Sequence, residues 1–374
     1  MQCNSWKSRL VCLLTLSAVF VGMSARPVAA QSGYMPDESA AHEGTWLQWP
    51  HHFTYGTSYR NQVEPTWVKM TRVLVQSERV HIVAYNSAEV TRIKNRLKSA
   101  RVSLTKIDFL IRPTNDTWVR DNGPIFVRDL TNGGRLTVSD FGFNGWGLDA
   151  PYSLDETVPI AVASSRALPR WDLNDLVLEG GSIEVDGGGV LMATRSSILE
   201  PDRNPEWTEA DVELYLSETL GIGKFIWLDG APGGADDITD THIDGFARFA
   251  LPDTIVTMSA ADLRYWGISD ADIDRLYSAT DIDDIPYRRV LLPLTRNNVR
   301  TTSGFNLGYK GSYVNFYVSN GHVLMPTYRD PNDAVAKGIL QQIFPNRTVV
   351  GIDCRNLYSY GGMIHCVTQQ QPMQ

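Results

Sequence analysis

The chain has 374 residues, 43% hydrophobic and 20% charged. That balance is of the globular kind and excludes fibrous and low-complexity classes. Its formal charge is −8, which disfavours nucleic acid as a partner and suits cationic ligands.

Residues 1–30 read as a secretory leader. Lys7 and Arg9 stand without an acid, the apolar run "VCLLTLSAVFVG" follows, and "RPVAA" ends in small residues before Gln31. The run is too short for a comfortable membrane span, so an exported, periplasmic or secreted chain without stable membrane insertion is expected. Loss of Lys7, Arg9 and Arg26 leaves 31 basic against 42 acidic residues, a net charge of −11. Cys3 and Cys12 leave with the leader, and Cys354 and Cys366 remain. Two cysteines make no disulfide framework, although a single bridge between them stays open.

From residue 31 onward, strand-like and helix-like segments alternate. Trp67, Met70 and Leu74 mark a helix with Pro65 near its start. "RVHIVAY" (79–85) is a strand, followed by an Asn86 cap answered by Glu89 and a helical stripe of Val90, Ile93 and Leu97. "SLTKIDFLI" and "IFVRDL" are further strands, and "EGGSIEVDGGG" reads as two strands joined at a turn over 186–189. Val212, Leu216 and Leu220 stripe a helix that Gly221 closes. Val335, Ile339 and Ile343 stripe the last helix, among the strands "YVNFYV", "HVLMP" and "RTVVGID". This is an α/β pattern without a Pro- or Ser-rich linker, so one domain over 31–374 is expected.

Four stretches could carry chemistry. "NDTWVRDNGP" (115–124) places Asp116 and Asp121 about Trp118 and Arg120, which as an isolated motif fits a capped turn equally well. In "LEGGSIEV" (178–185), Glu179 ends an apolar run, a costly place for an acid unless it is paired or used. In "DITDTHIDGFARF" (237–249), His242 and Asp244 would share a face of an extended strand, suited to proton transfer beside cation binding. Metal ligation is the weaker reading there, because further ligands are not clustered. In "GGMIHCVTQQQP" (361–372), Cys366 is a hidden, bridged or nucleophilic thiol; adjacent His365 would point to the other face of a strand, leaving His242 as the candidate base. Asp121 to Glu179 is 58 residues, Glu179 to His242 is 63, and His242 to Cys366 is 124, twice 62. Recurrence at one module length points to a ring of about five α/β modules serving a common centre.

Together with "MPDESAAHEGTWLQWPH", "FGFNGWG" and "SYVNFYVSNGHVLMP", these motifs span residues 35 to 372 in one order. In that order the chain resembles the agmatine deiminase family, within the guanidine-modifying superfamily that includes bacterial peptidylarginine deiminase. The resemblance implies a five-fold pseudosymmetric α/β propeller of the pentein type. It also implies hydrolysis of agmatine to N-carbamoylputrescine and ammonia without metal or organic cofactor. By the matching motifs, Cys366 would be the nucleophile and His242 the general acid/base. Asp121 and Asp244 would bind the guanidinium, Glu179 would support the site, and Trp118 would pack on the alkyl stem. Asp240 is a further candidate, for the distal ammonium. Met363 stands where the family usually has Asn, a departure that removes a polar group near the site. The alternatives are deimination of peptidyl or free arginine, and a non-catalytic binder of cations. The lack of Arg or Lys in "SDFGFNGWGLD" (139–149) favours agmatine.

Overall fold

In the computed structural model, residues 32–231 and 237–374 are described. The leader expected over residues 1–30 lies outside them.

The described strands form five sheets that repeat one plan. A central strand pairs antiparallel with a strand on one side and parallel with a strand on the other. The central strands are His42–Gln48, Arg135–Gly142, Val190–Thr194, Thr254–Thr257 and His322–Thr327. Their antiparallel partners are Gln369–Pro372, Ile125–Asp129, Ile183–Val185, Arg248–Leu251 and Tyr317–Val318. A parallel pair needs a crossover, and in each sheet helix supplies it: Gly56–Leu74, Val158–Arg166, Glu209–Leu220, Ala260–Tyr265 with Asp270–Tyr277, and Asn332–Ile343. The C-terminal strand Gln369–Pro372 completes the sheet begun by His42–Gln48, with Gln369 opposite Trp46. The two ends of the described chain therefore share one sheet.

Local signals account for most of these elements. The Asn86 side chain accepts the Glu89 amide, capping the helix Ser87–Ser99. Thr208 and Asp211 cap Glu209–Leu220 reciprocally, and Gly221 closes it at φ 77°. The turn over 186–189 joins Ile183–Val185 to Val190–Thr194 as expected.

Three readings need correction. Pro65 lies inside its helix and not near the start, since the helix begins at Gly56. It occupies an exposed position, where water can serve the carbonyl that loses its amide partner. The buried face of Asn332–Ile343 carries Ala336, Leu340 and Ile343, while Val335 is 45% exposed. The large side chains misled the periodicity, because small Ala336 is the residue that meets the core. In "YVNFYV" only Tyr317–Val318 pairs as strand, and the residues before it turn toward the site described below.

Leu340→Ala is expected to lower unfolding free energy by about 2–5 kcal/mol and Val335→Ala by less than about 1 kcal/mol. Urea titration of the two variants checks the offset.

Candidate active site

Short turns set the site. Asp121 lies in Val119–Asn122, Glu179 just before the turn Gly180–Ser182, and Asp244 in Ile243–Gly245 with His242 at its start. Cys366 sits in His365–Val367. Each turn leads, within a few residues, into the antiparallel partner strand of a sheet. Two expectations change here. His242 and Asp244 are brought together by a 3₁₀ turn and not by alternation on a strand. His365 likewise escapes strand geometry and turns into the site.

These turns converge on a cavity of about 570 Å³, lined by Trp118, Asp121, His242, Asp244, Asn315 and Cys366 among others. Glu179 is fully buried behind it. His242 Nε2 lies 2.7 Å from Glu179 Oε2, and its Nδ1 lies 3.7 Å from Asp121 Oδ1. Asp121 also accepts the Gly181 amide at 3.0 Å and the Trp146 indole N–H at 3.0 Å. Trp146 reaches it from a left-handed backbone, φ 57° and ψ 55°, a strained conformation of the kind that accompanies binding sites. Cys366 Sγ lies 3.3 Å from Asn315 Nδ2 and 3.8 Å from Asp244 Oδ2. Cys354 and Cys366 are both free thiols, so the bridge left open by the sequence is absent. Cys354 is fully buried in the hydrophobic core, which leaves Cys366 as the thiol on the cavity.

Electrostatics separate the four groups. Burial opposes the His242 imidazolium, but the Asp121 charge and the Glu179 hydrogen bond outweigh it and hold its pKa at about 9. Asp121 is pushed up to about 6, by burial against the pull of His242 and with the charges of Asp244 and Glu179. Asp244 faces the same burial, yet hydrogen bonding to His365 and nearby positive charge hold it below the usual range. The Cys366 thiol is driven well above its ordinary value, by burial and by Asp244 and Asp121. The site thus keeps a thiol, not a thiolate, and gathers acids about it.

Asp240 does not join this group. It is absent from the cavity lining, and its carboxylate takes Arg203 Nη1 at 2.5 Å while Arg203 Nε holds Glu179 at 2.8 Å. Arg203 thus ties Asp240 to the back of the site, and Asp237 stands on the cavity wall instead. Trp118 does line the cavity, pressed by Gly362, where an added Cβ would fall 2.3 Å from the ring. Met363, the departure from the family pattern, is 97% buried on the wall beside the Tyr328 hydroxyl, 2.9 Å from its sulfur. Sequence reasoning passed over Asn315, Trp146, Arg203, Glu38 and Arg248. The doubled interval between His242 and Cys366 was the available signal for Asn315, since it left one module without a contributor.

Gly181 has no room for a side chain. A Cβ there would lie 2.6 Å from Asp121 Oδ1 and 2.7 Å from His242 Nδ1. Gly181→Ala is therefore expected to displace both and to cost about 100-fold or more of the deiminase activity that the resemblance implies. Circular dichroism should stay unchanged, and steady-state kinetics read the loss.

The family model of Porphyromonas-type peptidyl-arginine deiminase matches residues 34–372. The agmatine deiminase of Ectopseudomonas mendocina is 32% identical over 372 residues, covering 92% of this chain and 96% of its own. The structure of the Enterococcus faecalis agmatine deiminase superposes with a TM-score of 0.80 at 26% identity, over 93% of this chain and 99% of that one. A C. jejuni agmatine deiminase with substrate bound gives 0.76 at 25% identity, over 92% and 97%. This chain belongs to the agmatine deiminase/peptidyl-arginine deiminase family and is a hydrolase acting on guanidino C–N bonds.

Proposed function

We propose that the chain converts agmatine to N-carbamoylputrescine and ammonia through a covalent intermediate on Cys366. The observation that carries this reading is the set of buried carboxylates, Asp121, Asp244 and Glu179, disposed with His242 about one cavity thiol. A guanidinium is planar and offers paired N–H donors, so Asp121 and Asp244 hold it by charge-assisted forks and fix its central carbon opposite Sγ. The alkyl stem runs along Trp118. The E. mendocina relative and the substrate-bound C. jejuni neighbour are agmatine deiminases, which favours agmatine over arginine.

The bound cation offsets the acids that keep Cys366 protonated, and the thiol gives its proton to solvent. The Asn315 amide then donates to the thiolate. Sulfur attacks the guanidinium carbon. The His242 imidazolium protonates the departing amine, ammonia leaves, and an amidino-cysteine remains. Neutral His242 next takes a proton from water, hydroxide adds to the same carbon, and collapse expels the Cys366 thiolate, which takes up the hydroxyl proton as the ureido product leaves. Glu179, anchored by Arg203, orients the imidazole throughout.

The propeller reading goes further than the five separate sheets. Its support is that one plan repeats five times, that the C-terminal strand completes the first sheet, and that the site groups come from equivalent turns. Export rests on the leader pattern of residues 1–30 alone.

Purified residues 31–374 incubated with agmatine, free arginine and a peptide ending in arginine should release ammonia fastest from agmatine. No turnover of any of the three under reducing conditions contradicts the reading. The kcat/KM profile should rise toward alkaline pH as the Cys366 thiol ionises, more steeply below about pH 6, where Asp121 must also be ionised, and should cease to rise near pH 9, where His242 must keep its proton. A profile flat from pH 5 to 10 would remove both assignments.

A further inference from the structure

His365 has no place in the reaction above, yet it is 99% buried against the site. Its Nδ1 lies 2.7 Å from Asp244 Oδ2 and its Nε2 lies 2.7 Å from Glu38 Oε2. A carboxylate oxygen thus faces each ring nitrogen, and the ring bridges the two acids. Glu38 is in turn fixed by Arg120 Nη2 at 3.1 Å, by Arg248 Nη2 at 3.0 Å and by the Val318 amide at 2.8 Å. Arg248 also holds Glu184 at 2.6 Å. The His365 amide donates to Asn315 Oδ1 at 2.9 Å, so the same residue steadies the side chain facing Cys366.

We propose that His365 is a positioning residue, a clamp between two carboxylates that orients Asp244 to grip the guanidinium, with Glu38 as its anchor. This rests on the reading of the cavity as a guanidinium site. The groups that face Asp244 are His365, His242, Arg248, Asp121 and the Cys366 thiol. Those about the far side of His365 are Glu38, Arg120, Arg248 and Glu184. Of this set, His365 makes the short hydrogen bond to Asp244 Oδ2, at 2.7 Å against 3.8 Å for the Cys366 thiol. Asp121 shows the contrast, since it is equally enclosed and titrates higher.

Two substitutions separate the ends of the ring. The Asn amide of His365→Asn reaches about as far as Nδ1 and can still donate to Asp244. The longer amide of His365→Gln reaches about as far as Nε2, keeping Glu38 and losing Asp244. In a Cys366→Ala background, agmatine binding is measured by calorimetry across pH 5–9, with thermal melting as a control. His365→Gln should weaken binding about 10–100-fold, as for loss of a hydrogen bond to a charged group, and His365→Asn by less than about 3-fold. The weakening by His365→Gln should grow toward low pH as Asp244 takes up a proton. Equal weakening by both variants, or none by either, overturns the clamp. If His365→Gln does not fold, Glu38→Gln serves: a several-fold weaker, more acid-sensitive affinity supports the clamp, and an unchanged affinity overturns it. If Cys366→Ala alone binds no agmatine while binding arginine, the substrate assignment fails and the arms are read with arginine. If it binds no guanidine, the site reading fails and takes the clamp with it.

Discussion

A cluster of buried acids is the constraint on which the rest of this structure depends. Around Cys366, the carboxylates of Asp121, Glu179, Asp244, Glu38, Glu184 and Asp240 meet the guanidiniums of Arg203, Arg248 and Arg120 and the imidazoles of His242 and His365. Buried carboxylates are expensive unless they are paired or used. Asp121 and Asp244 line the cavity beside the Cys366 sulfur, and together with burial they push its thiol well above its ordinary pKa.

Building such a centre requires acids from distant parts of the chain to meet without unfolding it. The fold does this by repetition. Each module spends its hydrophobic residues on a hairpin and a helical crossover, and leaves the turn before its first strand free to carry a polar group inward. The deep anchors follow the same division of labour. Arg203 holds Glu179 from one side, and Arg248 holds Glu184 and Glu38 from another. These pairs supply orientation more than net stability, since a buried ion pair roughly offsets its own desolvation. Rigid acids are what the proposed chemistry needs, because a fork that wanders would not aim the guanidinium carbon at sulfur.

Much of this was legible in the residues. Strand runs, caps and the Gly221 stop are local signals, and they appeared where local chemistry dictates. Cys366, His242, Asp121, Asp244, Glu179 and Trp118 could be named because their motifs follow a family order, with Asp121, Glu179, His242 and Cys366 also falling near module spacing. What escaped depends on three-dimensional neighbours. Asp240 looked like a site acid because it shares a stretch with His242, yet Arg203, 37 residues away, claims its carboxylate. His365 was set aside on the assumption of a strand, and a single 3₁₀ turn restores it to the site. Glu38 lies 327 residues from its partner His365, a pairing that no periodicity encodes.

The central claim is that the acid-caged sulfur of Cys366 forms a covalent bond to the guanidinium carbon. Mass spectrometry of the enzyme, acid-quenched during turnover of agmatine and digested, tests it most directly. The account predicts a peptide containing Cys366 that carries agmatine less ammonia, and its loss in Cys366→Ala. Turnover in which no adduct forms on Cys366, with Cys366→Ala still active, would contradict it.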